Sequence, residues 1–483
     1  MKLKEILTGI PIAESHAEDT LEITGICYDS RHVQPGDLFV AVTGYATDGH
    51  QYIPMAVEKG AAAVLCERKP ECDIPYALVE NSRYAMALAS ANFFGHPADS
   101  MTFVGITGTN GKTSSTYLLK TVLEKTLNAK VGLIGTIQNM IGDEIIETER
   151  TTPESFELQK LFYEMKQAGC THVVMEVSSH SLVLDRVAGI HFQVGVFTNL
   201  TQDHLDFHKT MEEYRKAKAM LFRRCDIGVF NGDDAATEKI LETATCKAMT
   251  YGETPEDDLW AENPVLHSDG VEFTAKYGQE SAHIRLGIPG KFTVYNALGV
   301  LGAAIALGVP LEQAVRALET AKGVKGRVEV VPTPGEDYTI LIDYAHAPDG
   351  LQNVLSSVRG FCKGRLISVF GCGGDRDTTK RPIMGEIGAR LSDIAIITSD
   401  NPRTEDPNKI IDMILAGIPD KKNCLVEENR RKAIRMAMEL ARKDDIIVLC
   451  GKGHETYQII GTEKTHLDER EEVAAHLREK KGM

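Results

Sequence analysis

The sequence predicts an α/β protein of three domains, of which the second and third are built on largely parallel β-sheets. Its 483 residues exceed what one hydrophobic core supports, and roughly 150 residues per domain suggests three units. Short buried-type strands alternate with helical stretches along most of the chain, a pattern typical of parallel sheets covered by helices on both faces. The predicted domains span residues 1–98, 99–328 and 329–483.

The first domain is predicted from short strand-like runs separated by Gly and Pro. Examples are the runs at residues 37–42 and 61–65. The turn-rich stretch Gly95–Ser100 follows, and the apolar strand Phe103–Ile106 comes directly after it. We therefore place the first domain boundary at this stretch.

The second and third domains contain longer apolar strands of the kind that are buried on both faces of a sheet. In the second domain these are His172–Val177 and Val194–Thr198. The third domain has four, at residues 339–343, 365–370, 394–398 and 445–449. No internal repeat and no low-complexity tract interrupts this pattern.

Charge and cysteine usage exclude several classes of protein. The formal net charge of -16 disfavours an extended nucleic-acid-binding face, which requires clustered Lys and Arg. The first residues lack the apolar stretch of a signal peptide, and no uncharged run reaches transmembrane length. The ten cysteines show no paired CxxC spacing, which favours reduced thiols. We expect a cytoplasmic protein without nucleic-acid partner or membrane insertion.

The strongest local motif is a glycine-rich loop between an apolar strand and a helical stretch. Glycines allow backbone amides to turn toward phosphate oxygens, a lysine neutralises phosphate charge, and a following Thr hydroxyl can bind Mg²⁺. The common pattern is incomplete, because Ile106 stands where its first Gly is expected. A loop that binds nothing is disfavoured by the strand before it and the helix after it. The predicted phosphate-binding residues are Gly108, Thr109, Asn110, Gly111, Lys112, Thr113 and Ser114.

Two further side chains are candidate metal ligands. Glu176 ends a predicted strand, at the edge where open α/β sheets bind ligands, and His204 lies in a loop after the next strand. Each residue alone is more often structural than a ligand. Together with Thr113 they indicate a Mg²⁺ site.

Four motifs in one order resemble the Mur ligases. They are GTNGKT at residues 108–113, EVSSH at 176–180, TNL with DHLD between 198 and 206, and DYAHAP at 343–348. Each motif is moderately specific, whereas the ordered set is highly specific. The resemblance covers essentially the whole chain.

This resemblance implies a fold and an activity. The first domain would bind a UDP-sugar, the centre would be a P-loop ATPase domain with a parallel sheet, and the C-terminal Rossmann-like domain would bind an amino acid. Mur ligases join a carboxylate to an amine with ATP as substrate and Mg²⁺ as cofactor, through an acyl phosphate. Phosphorylation gives the carboxylate a leaving group, and Lys112 would stabilise charge on the transferring phosphoryl group.

The resemblance also assigns roles near the nucleotide. Lys218 matches the position of a carbamylated lysine in the family, which would become an anionic ligand for Mg²⁺. The residues alone would favour an ordinary lysine on a solvated helix face. By match, Asn296 and His346 are candidates for the adenine end, and Arg327 and Asp343 for the ribose and phosphates. Catalysis is therefore expected to depend on Lys112, Lys218, Glu176 and His204.

The N-terminal sequence around Cys27–Arg31 resembles the branch of the family that extends the dipeptide precursor, UDP-MurNAc-L-Ala-D-Glu. Thr and Ser at such positions are also common in turns and helix caps. The residues implied for the UDP-sugar are Tyr28, Ser30, Tyr45, Ala46 and Thr47. Those implied for the muramoyl dipeptide are Thr151, Thr152, Ser178 and Arg186.

The string Asp400-Asn401-Pro402-Arg403 resembles the relatives that add meso-diaminopimelate in peptidoglycan precursor synthesis. The second amino-acid head of diaminopimelate has a carboxylate that can accept a bidentate guanidinium bond, which lysine cannot offer. Arg376 would supply a further cation. Glu455 would receive the distal ammonium, and Gly451 would contribute backbone. A surface arginine after a turn is the simpler interpretation of Arg403.

Alternatives stay open at this point. They are a lysine-adding ligase of the same family, a folylpolyglutamate synthetase, and a P-loop nucleotide-binding protein without ligase activity. The Tyr28-Asp29-Ser30 segment disfavours the folate enzyme. We expect a monomer.

Overall fold

The computed structural model describes residues 1–44, 47–148 and 150–480. Tyr45 and Ala46, both predicted to contact the UDP-sugar, lie outside the described residues. The chain divides into two compact units. The first comprises Met1–Thr250 with Gly302–Val309, and the second comprises Tyr251–Leu301 with the C-terminal segment from Pro310.

The first unit begins with a five-stranded sheet in the order β1-β5-β4-β3-β2, whose strands are parallel except for the antiparallel β1. Leu38 and Leu65 are fully buried on one face, and Phe39 and Val64 on the other. The elements are α1 (Leu3–Ile6), β1 (Glu14–Ser15), β2 (Gly25–Cys27), β3 (Asp37–Val40), α2 (Ile53–Glu58), β4 (Ala63–Cys66), β5 (Tyr76–Leu78) and α3 (Ser82–Phe93), with 3₁₀ turns at Gly49–Tyr52 and Pro97–Ser100.

A second sheet of the first unit carries the phosphate loop. It belongs to an 11-stranded sheet, of which the strands wholly within this unit have the order β12-β11-β6-β10-β7-β8-β9, and the five strands from β12 to β7 are parallel. The strands are β6 (Thr102–Thr107), β7 (Val131–Ile134), β8 (Asn139–Ile141), β9 (Glu144–Ile146), β10 (His172–Glu176), β11 (Phe192–Phe197), β12 (Cys225–Asn231) and β13 (Lys247–Gly252), which crosses the division between the units. The helices are α4 (Lys112–Leu127), α5 (Ser155–Gln167), α6 (Ser179–Val183), α7 (Leu205–His208), α8 (Met211–Ala219) and α9 (Thr237–Leu241), with a 3₁₀ turn at Met220–Arg223.

The core below the phosphate loop is aromatic. The rings of Phe103 and Phe162 meet edge to face at 4.8 Å between centroids, and those of Phe222 and Phe230 lie 4.4 Å apart. Gly105 on β6 leaves room for Phe192, which a Cβ would approach to 2.9 Å. This packing fixes the end of β6 from which the loop departs.

The second unit opens with an antiparallel ladder that the sequence pattern did not predict. Strands β14 (Leu259–His267), β15 (Gly270–Tyr277) and β16 (Glu280–Leu286) pair in order, with a register shift between Glu262 and Val265. Buried residues alternate with partly buried ones along β15 and with exposed ones in the second half of β16, as expected where one face is more solvated than the other. The helices that follow are α10 (Lys291–Ala306), which crosses the division, and α11 (Leu311–Leu318).

The remainder of the second unit is a six-stranded sheet in the order β17-β18-β22-β19-β20-β21, parallel except for β17. The strands are β17 (Glu329–Val331), β18 (Thr339–Asp343), β19 (Leu366–Phe370), β20 (Ile394–Ile397), β21 (Cys424–Val426), β22 (Ile446–Cys450) and the separate hairpin β23 (Tyr457–Ile460) and β24 (Glu463–His466). The helices are α12 (Pro348–Arg359), α13 (Lys380–Leu391), α14 (Pro407–Ala416), α15 (Arg430–Leu440) and α16 (Glu469–Lys480).

The α/β class with parallel sheets is therefore confirmed. The predicted strands agree with the observed ones to within two residues at most ends. No helix in the described part of the chain combines the length and the apolar character needed to cross a bilayer. All described cysteines are free thiols, as expected.

Candidate active site

The phosphate loop runs from the end of β6 into the first turn of α4. Gly108 has φ +149°, and Gly111 caps the helix with φ +87°, both in the region that favours glycine. A Cβ at Gly108 would overlap the Thr198 hydroxyl. Asn110 is held by its neighbours, since its backbone N–H donates to Asn199 Oδ1 at 2.9 Å and its carbonyl accepts from Thr198 Oγ1 at 2.6 Å. The loop is thus preformed by the adjacent strand end.

Two lysines converge on this loop. Lys112 Nζ donates to the carbonyls of Gly108 and Thr109 at 2.9 and 2.8 Å. Lys218, on α8 and 1% exposed, donates to the same Gly108 carbonyl at 2.7 Å and lies 4.3 Å from the centre of the Tyr214 ring. Burial, and then Lys112, lower the pKa of Lys218 well below its ordinary value. The site therefore disfavours the charged form of Lys218 relative to that of an exposed lysine.

Glu176 is a fully buried carboxylate at the end of β10. Its Oε1 accepts from Thr113 Oγ1 at 2.9 Å and from the Thr136 backbone N–H at 2.9 Å, and its Oε2 accepts from Thr136 Oγ1 at 3.0 Å. A Cβ at Gly135 would approach Oε1 to 2.5 Å. The carboxylate therefore has a defined orientation beside the first turn of α4, where Thr113 also lies.

The donor set fits the predicted Mg²⁺ only in part. A carboxylate and a hydroxyl are oxygen ligands of the kind that Mg²⁺ binds, usually together with waters and substrate phosphates. Thr113 and Glu176 are adjacent, as predicted. Among residues 1–44, 47–148 and 150–480, no three His, Cys, Asp or Glu side chains form a group that could hold a metal by themselves. The chain thus offers a two-ligand oxygen site that phosphates would complete.

His204 lies in a separate aromatic cluster of the same unit. Its ring meets that of His180 at 4.9 Å and that of Tyr214 at 6.0 Å, both edge to face, and its Nε2 is 3.4 Å from Asp203 Oδ2. Burial lowers the pKa of His204, although Asp203 opposes the shift. Within the described residues, no hydrogen bond joins His204 to Glu176. The structure places His204 near Lys218 through Tyr214, but it does not bring the two proposed metal ligands into contact.

The four residues predicted to hold the muramoyl dipeptide do gather in one place. Thr152 Oγ1 donates to the Glu176 carbonyl at 2.8 Å and lies 3.3 Å from Ser178 Oγ. Arg186 donates to the Thr152 carbonyl at 3.0 Å. Thr151 Oγ1 is 3.0 Å from Thr136 Oγ1, which in turn contacts Glu176. Thr152 thus links Ser178 and Arg186 to the main-chain carbonyl of Glu176, whereas Thr151 reaches the Glu176 carboxylate through Thr136.

Glu154 extends this cluster and was not predicted. It is 7% exposed and lies within 3.3 Å of Arg83 and 2.8 Å of Arg186, and it also pairs with Arg150. Three guanidinium groups are thus paired with one buried carboxylate.

The described UDP-sugar residues lie in loops that follow strands β2 and β3 of the N-terminal sheet. Tyr28 follows β2, and its hydroxyl donates to Glu157 Oε1 on α5 at 2.8 Å, so that it lines a cavity of about 340 Å³ with Arg150. Ser30 is buried at 6% exposure, and the Thr47 carbonyl accepts from the Gly44 N–H at 3.1 Å. Nothing in these contacts yet identifies the ligand.

In the second unit, residues predicted for the nucleoside surround Tyr344. Asp343 ends β18 and accepts from the backbone N–H groups of Val328 and Ala345, each at 2.9 Å. Burial raises the pKa of Asp343, although Arg327 opposes the shift. Arg327 lies 5.4 Å from the Tyr344 ring and the His346 ring 4.6 Å from it. Asn296 is buried on α10 at 5% exposure.

Residues predicted for diaminopimelate lie at the carboxyl ends of β20 and β22. Asn401 Nδ2 donates to Glu455 Oε2 at 3.0 Å, and Gly451 adopts φ +115°. Lys452, which is fully buried and was not selected from the sequence, donates to both Asn401 Oδ1 at 3.0 Å and Glu455 Oε2 at 2.9 Å. Glu455, which is predicted to bind the distal ammonium of diaminopimelate, therefore already has Lys452 as a cationic partner.

Asp400 is buried, and the positive charges near it favour its ionised form. Burial would raise its pKa, but Lys452 and Arg430 lower the pKa of Asp400 below its ordinary value. Arg403 has φ +51° and donates from Nη1 to the Gly374 carbonyl at 2.9 Å, while Pro402 is buried beside it and Arg376 is exposed. Both arginines thus belong to neighbouring loops.

Comparison with protein-family models gives three matches along the chain. The model "Mur ligase family, catalytic domain" matches residues 22–97, "Mur ligase middle domain" matches 106–304, and "Mur ligase, glutamate ligase domain" matches 326–453. Together they span most of the chain and support a three-domain architecture. The boundaries at residues 98 and 328 stay predictions.

Individual proteins agree with these models. A UDP-N-acetylmuramoyl-L-alanyl-D-glutamate--2,6-diaminopimelate ligase of Clostridium botulinum is 52% identical over 469 residues, covering 96% of each chain. A protein of the same name from Listeria monocytogenes is 41% identical over 492 residues, covering 100% of both.

Solved structures give the same fold. A ligase of that same name superimposes with a TM-score of 0.75 at 30% identity, covering 100% of this chain and 99% of the other. A folylpolyglutamate synthase of Mycobacterium tuberculosis, at 19% identity and a TM-score of 0.62, shares the fold alone. From its three domain models and from relatives at up to 52% identity over nearly its full length, the chain belongs to the Mur ligase family.

Proposed function

We propose that this chain is an ATP-dependent ligase that adds meso-diaminopimelate to UDP-MurNAc-L-Ala-D-Glu in peptidoglycan precursor synthesis. The observation that carries this proposal is the 41–52% identity, over 96–100% of the chain, to proteins named for that reaction. The geometry supports it, because a phosphate loop, a carboxylate-centred oxygen site and an arginine-bearing loop are all present in the chain.

The phosphoryl-transfer half of the reaction rests on the first unit. Lys112 would release its two carbonyl partners to meet phosphate oxygens, and the Gly108–Thr113 backbone would bind them with its amides. Thr113 and Glu176 would hold Mg²⁺, and His204 and a carbamylated Lys218 would hold a second ion. When bound, the ion supplies positive charge to the transferring phosphoryl group.

The acyl half depends on how the substrate carboxylate is presented. Thr152 binds the main-chain carbonyl of Glu176 and contacts both Ser178 and Arg186, so a D-Glu carboxylate is proposed to bind to these three side chains at the end of β10 and to face the γ-phosphate. Attack by that carboxylate gives an acyl phosphate and ADP. The amine, in its neutral form, then attacks the acyl carbon and loses a proton, and the acyl C–O bond breaks with its electron pair leaving on the phosphate. Positioning of both reactants contributes several orders of magnitude in such reactions.

The amine is proposed to be presented by the second unit. Arg403, assisted by Arg376, would bind the distal carboxylate of diaminopimelate, and Glu455 its distal ammonium. Because Glu455 is already paired with Lys452, the ligand ammonium would complete rather than create this charge cluster. The adenine end of ATP is proposed to contact Asn296 and His346, with Arg327 and Asp343 nearer the ribose and phosphates. We expect the working protein to be a monomer.

One assay separates this proposal from its alternatives. Phosphate release is measured with ATP, Mg²⁺ and UDP-MurNAc-L-Ala-D-Glu, with diaminopimelate, with lysine or without amine. The proposal predicts release that requires diaminopimelate. Phosphate release that requires lysine identifies the lysine-adding activity. Phosphate release that never depends on an amine would refute the proposed ligase activity.

A further inference from the structure

Two loops at the carboxyl edge of the six-stranded sheet in the second unit are held together by an ion pair and hydrogen bonds, which together are called the joint below. The GGDR loop, residues 371–377, follows β19, and the DNPR loop, residues 400–405, follows the neighbouring strand β20. Each loop carries one arginine predicted to bind diaminopimelate. The relative position of those arginines therefore depends on what joins the loops.

The main joint is an ion pair that the sequence motifs did not indicate. Arg381, on α13 and fully buried, donates from Nη1 and Nη2 to the two carboxylate oxygens of Glu405 at 2.9 and 2.8 Å. Arg381 also donates to the Gly373 carbonyl at 3.2 Å, and Glu405 Oε1 accepts from the Asp375 N–H at 2.5 Å. A two-pronged guanidinium bond fixes orientation as well as distance.

Four more hydrogen bonds reinforce the joint. Asp375 accepts from the Thr404 hydroxyl at 2.8 Å and from its backbone N–H at 3.2 Å. The Gly374 N–H donates to the Asn401 carbonyl at 2.9 Å, and the Gly374 carbonyl accepts from Arg403. A Cβ at Gly374 would collide with the Pro402 carbonyl. The two backbones thus pack without space for a side chain.

This arrangement leaves part of Arg403 available. Nη1 is engaged with Gly374, whereas no hydrogen bond among the described residues uses its Nε or Nη2. The backbone of Arg403 is also held by the β23–β24 hairpin, through its N–H to Ile459 and its carbonyl from Gly461. Its φ of +51° is unfavourable for a side-chain-bearing residue and persists because these contacts impose it.

We propose that Arg381 and Glu405 are positioning residues that set Arg403 and Arg376 for the distal carboxylate of diaminopimelate. This inference rests on the proposed function. Neither residue is assigned contact with the ligand; they act through the Asp375 N–H, next to Arg376, and through the backbone two residues beyond Arg403. A displacement of about 1 Å at a binding group can cost on the order of 10²-fold in rate.

The test compares three variants with the wild type. Glu405→Gln keeps the size of the side chain but removes the charge that Arg381 pairs with. Thr404→Val loosens the same joint without leaving a buried charge unpaired. Glu386→Gln removes an exposed partner of Arg390 on the same helix and is the matched control. KM for each substrate, kcat and the thermal midpoint are measured for all.

The proposal predicts a change confined to one substrate. Glu405→Gln is expected to raise KM for diaminopimelate about tenfold and to lower the ratio of kcat/KM for diaminopimelate over that for lysine, with KM for ATP and the UDP-dipeptide within twofold. Thr404→Val is expected to give a smaller rise of about threefold, and Glu386→Gln none. If Glu405→Gln fails to fold, Thr404→Val decides.

Other outcomes overturn it. Equal rises in KM for all three substrates would mean that the pair only supports the fold, and an unchanged KM for diaminopimelate in both variants would mean that it does not position the arginines. A wild-type protein whose phosphate release ignores diaminopimelate refutes the proposed function instead, so the two failures are distinguishable.

Discussion

Replacing Glu176 by Gln tests whether the charge of this carboxylate, rather than its hydrogen bonds, is needed for turnover. The substitution keeps the shape of a side chain that is fully buried. The amide oxygen can stay at the Oε1 position and accept from Thr113 and from the Thr136 N–H. The amide nitrogen then faces Thr136 Oγ1, which can accept because it can donate instead to Thr151 Oγ1, 3.0 Å away.

The structural cost can be worked out from these contacts. One N–H of the amide keeps a partner in Thr136 Oγ1, whereas the second buried N–H has no acceptor and costs at least about 1 kcal/mol. The two bonds at Oε1 lose their charge assistance, at about 1 kcal/mol each, since bonds to charged groups contribute roughly 1.5–3 kcal/mol and neutral ones roughly 0.5–1.5. The expected loss is about 3 kcal/mol, or several degrees in thermal midpoint.

The functional cost is expected to be far larger. A neutral amide is a poor ligand for a divalent ion, and removing one charged stabiliser of a transferring phosphoryl group costs on the order of 10²–10³-fold in kcat. Phosphate release is measured over a range of Mg²⁺ concentrations, alongside thermal unfolding without ligands. Thr136→Val is the control, because it removes the hydroxyl that bonds to Glu176 and Thr151 but keeps the carboxylate; its kcat should fall only a few-fold.

Two results would refute this reasoning. Wild-type kcat in Glu176→Gln at saturating Mg²⁺ would mean that the charge is not used in catalysis. A fall in thermal midpoint beyond about 10 °C would mean that the amide is not accommodated by Thr136 and Thr151 as described.

Three further predictions follow from the same contacts. Arg403→Ala should raise KM for diaminopimelate roughly 10–100-fold and reduce discrimination against lysine, because it removes a charged bond, and steady-state kinetics with both amines would show it. Lys218→Ala should lower kcat at least about 10²-fold, and if a carbamate is required, added formate should restore part of the activity. No recovery with formate, together with an active Lys218→Arg variant, would argue against the carbamate. Asp445→Asn should cost about 2 kcal/mol at pH 7, measured by denaturant unfolding. Burial would raise the pKa of Asp445, but hydrogen bonds from Arg365 lower this pKa below its ordinary value of 3.8. Asp445 therefore stabilises the folded protein above pH 3.8, and this stabilisation is lost as the pH falls through the lower pKa of the folded state. The free energy of unfolding of Asp445→Asn should lack this acid dependence.

The phosphate loop could be predicted because its chemistry is local. The strand, the glycines, the lysine and the helix start follow one another within about fifteen residues, and each reinforces the others. Glu176 could be predicted as a strand-end carboxylate for the same reason. Thr136 could not, because it reaches Glu176 only when β7 pairs with β10, and no motif marks a threonine in the loop after β7.

The antiparallel ladder β14–β15–β16 escaped prediction for a different reason. Its strands are half exposed and carry Glu, Lys and His on the solvated face, so they lack the continuous apolar run that indicates a buried strand. Glu154 had a local signal, since it follows Thr151-Thr152-Pro153 directly. Its importance depends on Arg150, four residues before it, and on Arg83 and Arg186 from distant parts of the chain, which sequence spacing does not bring together.

Buried charge in the second unit has a distribution that stability alone does not explain. Arg381, Arg430, Glu469 and Lys452 are each fully buried, and the Arg430–Glu469 pair lies at 2.7 Å. Buried ion pairs often stabilise a fold less than apolar residues of equal volume would, because desolvation offsets the attraction. Yet all four lie where β19, β20 and β22 end or on the helices beside them, within reach of the loops predicted to bind diaminopimelate. Rigid charges there hold further charges in fixed orientations before the ligand arrives, which lowers the reorganisation needed to bind a molecule with two amino-acid heads. On this argument the cost in folding stability is retained because it preorganises the site for the amine.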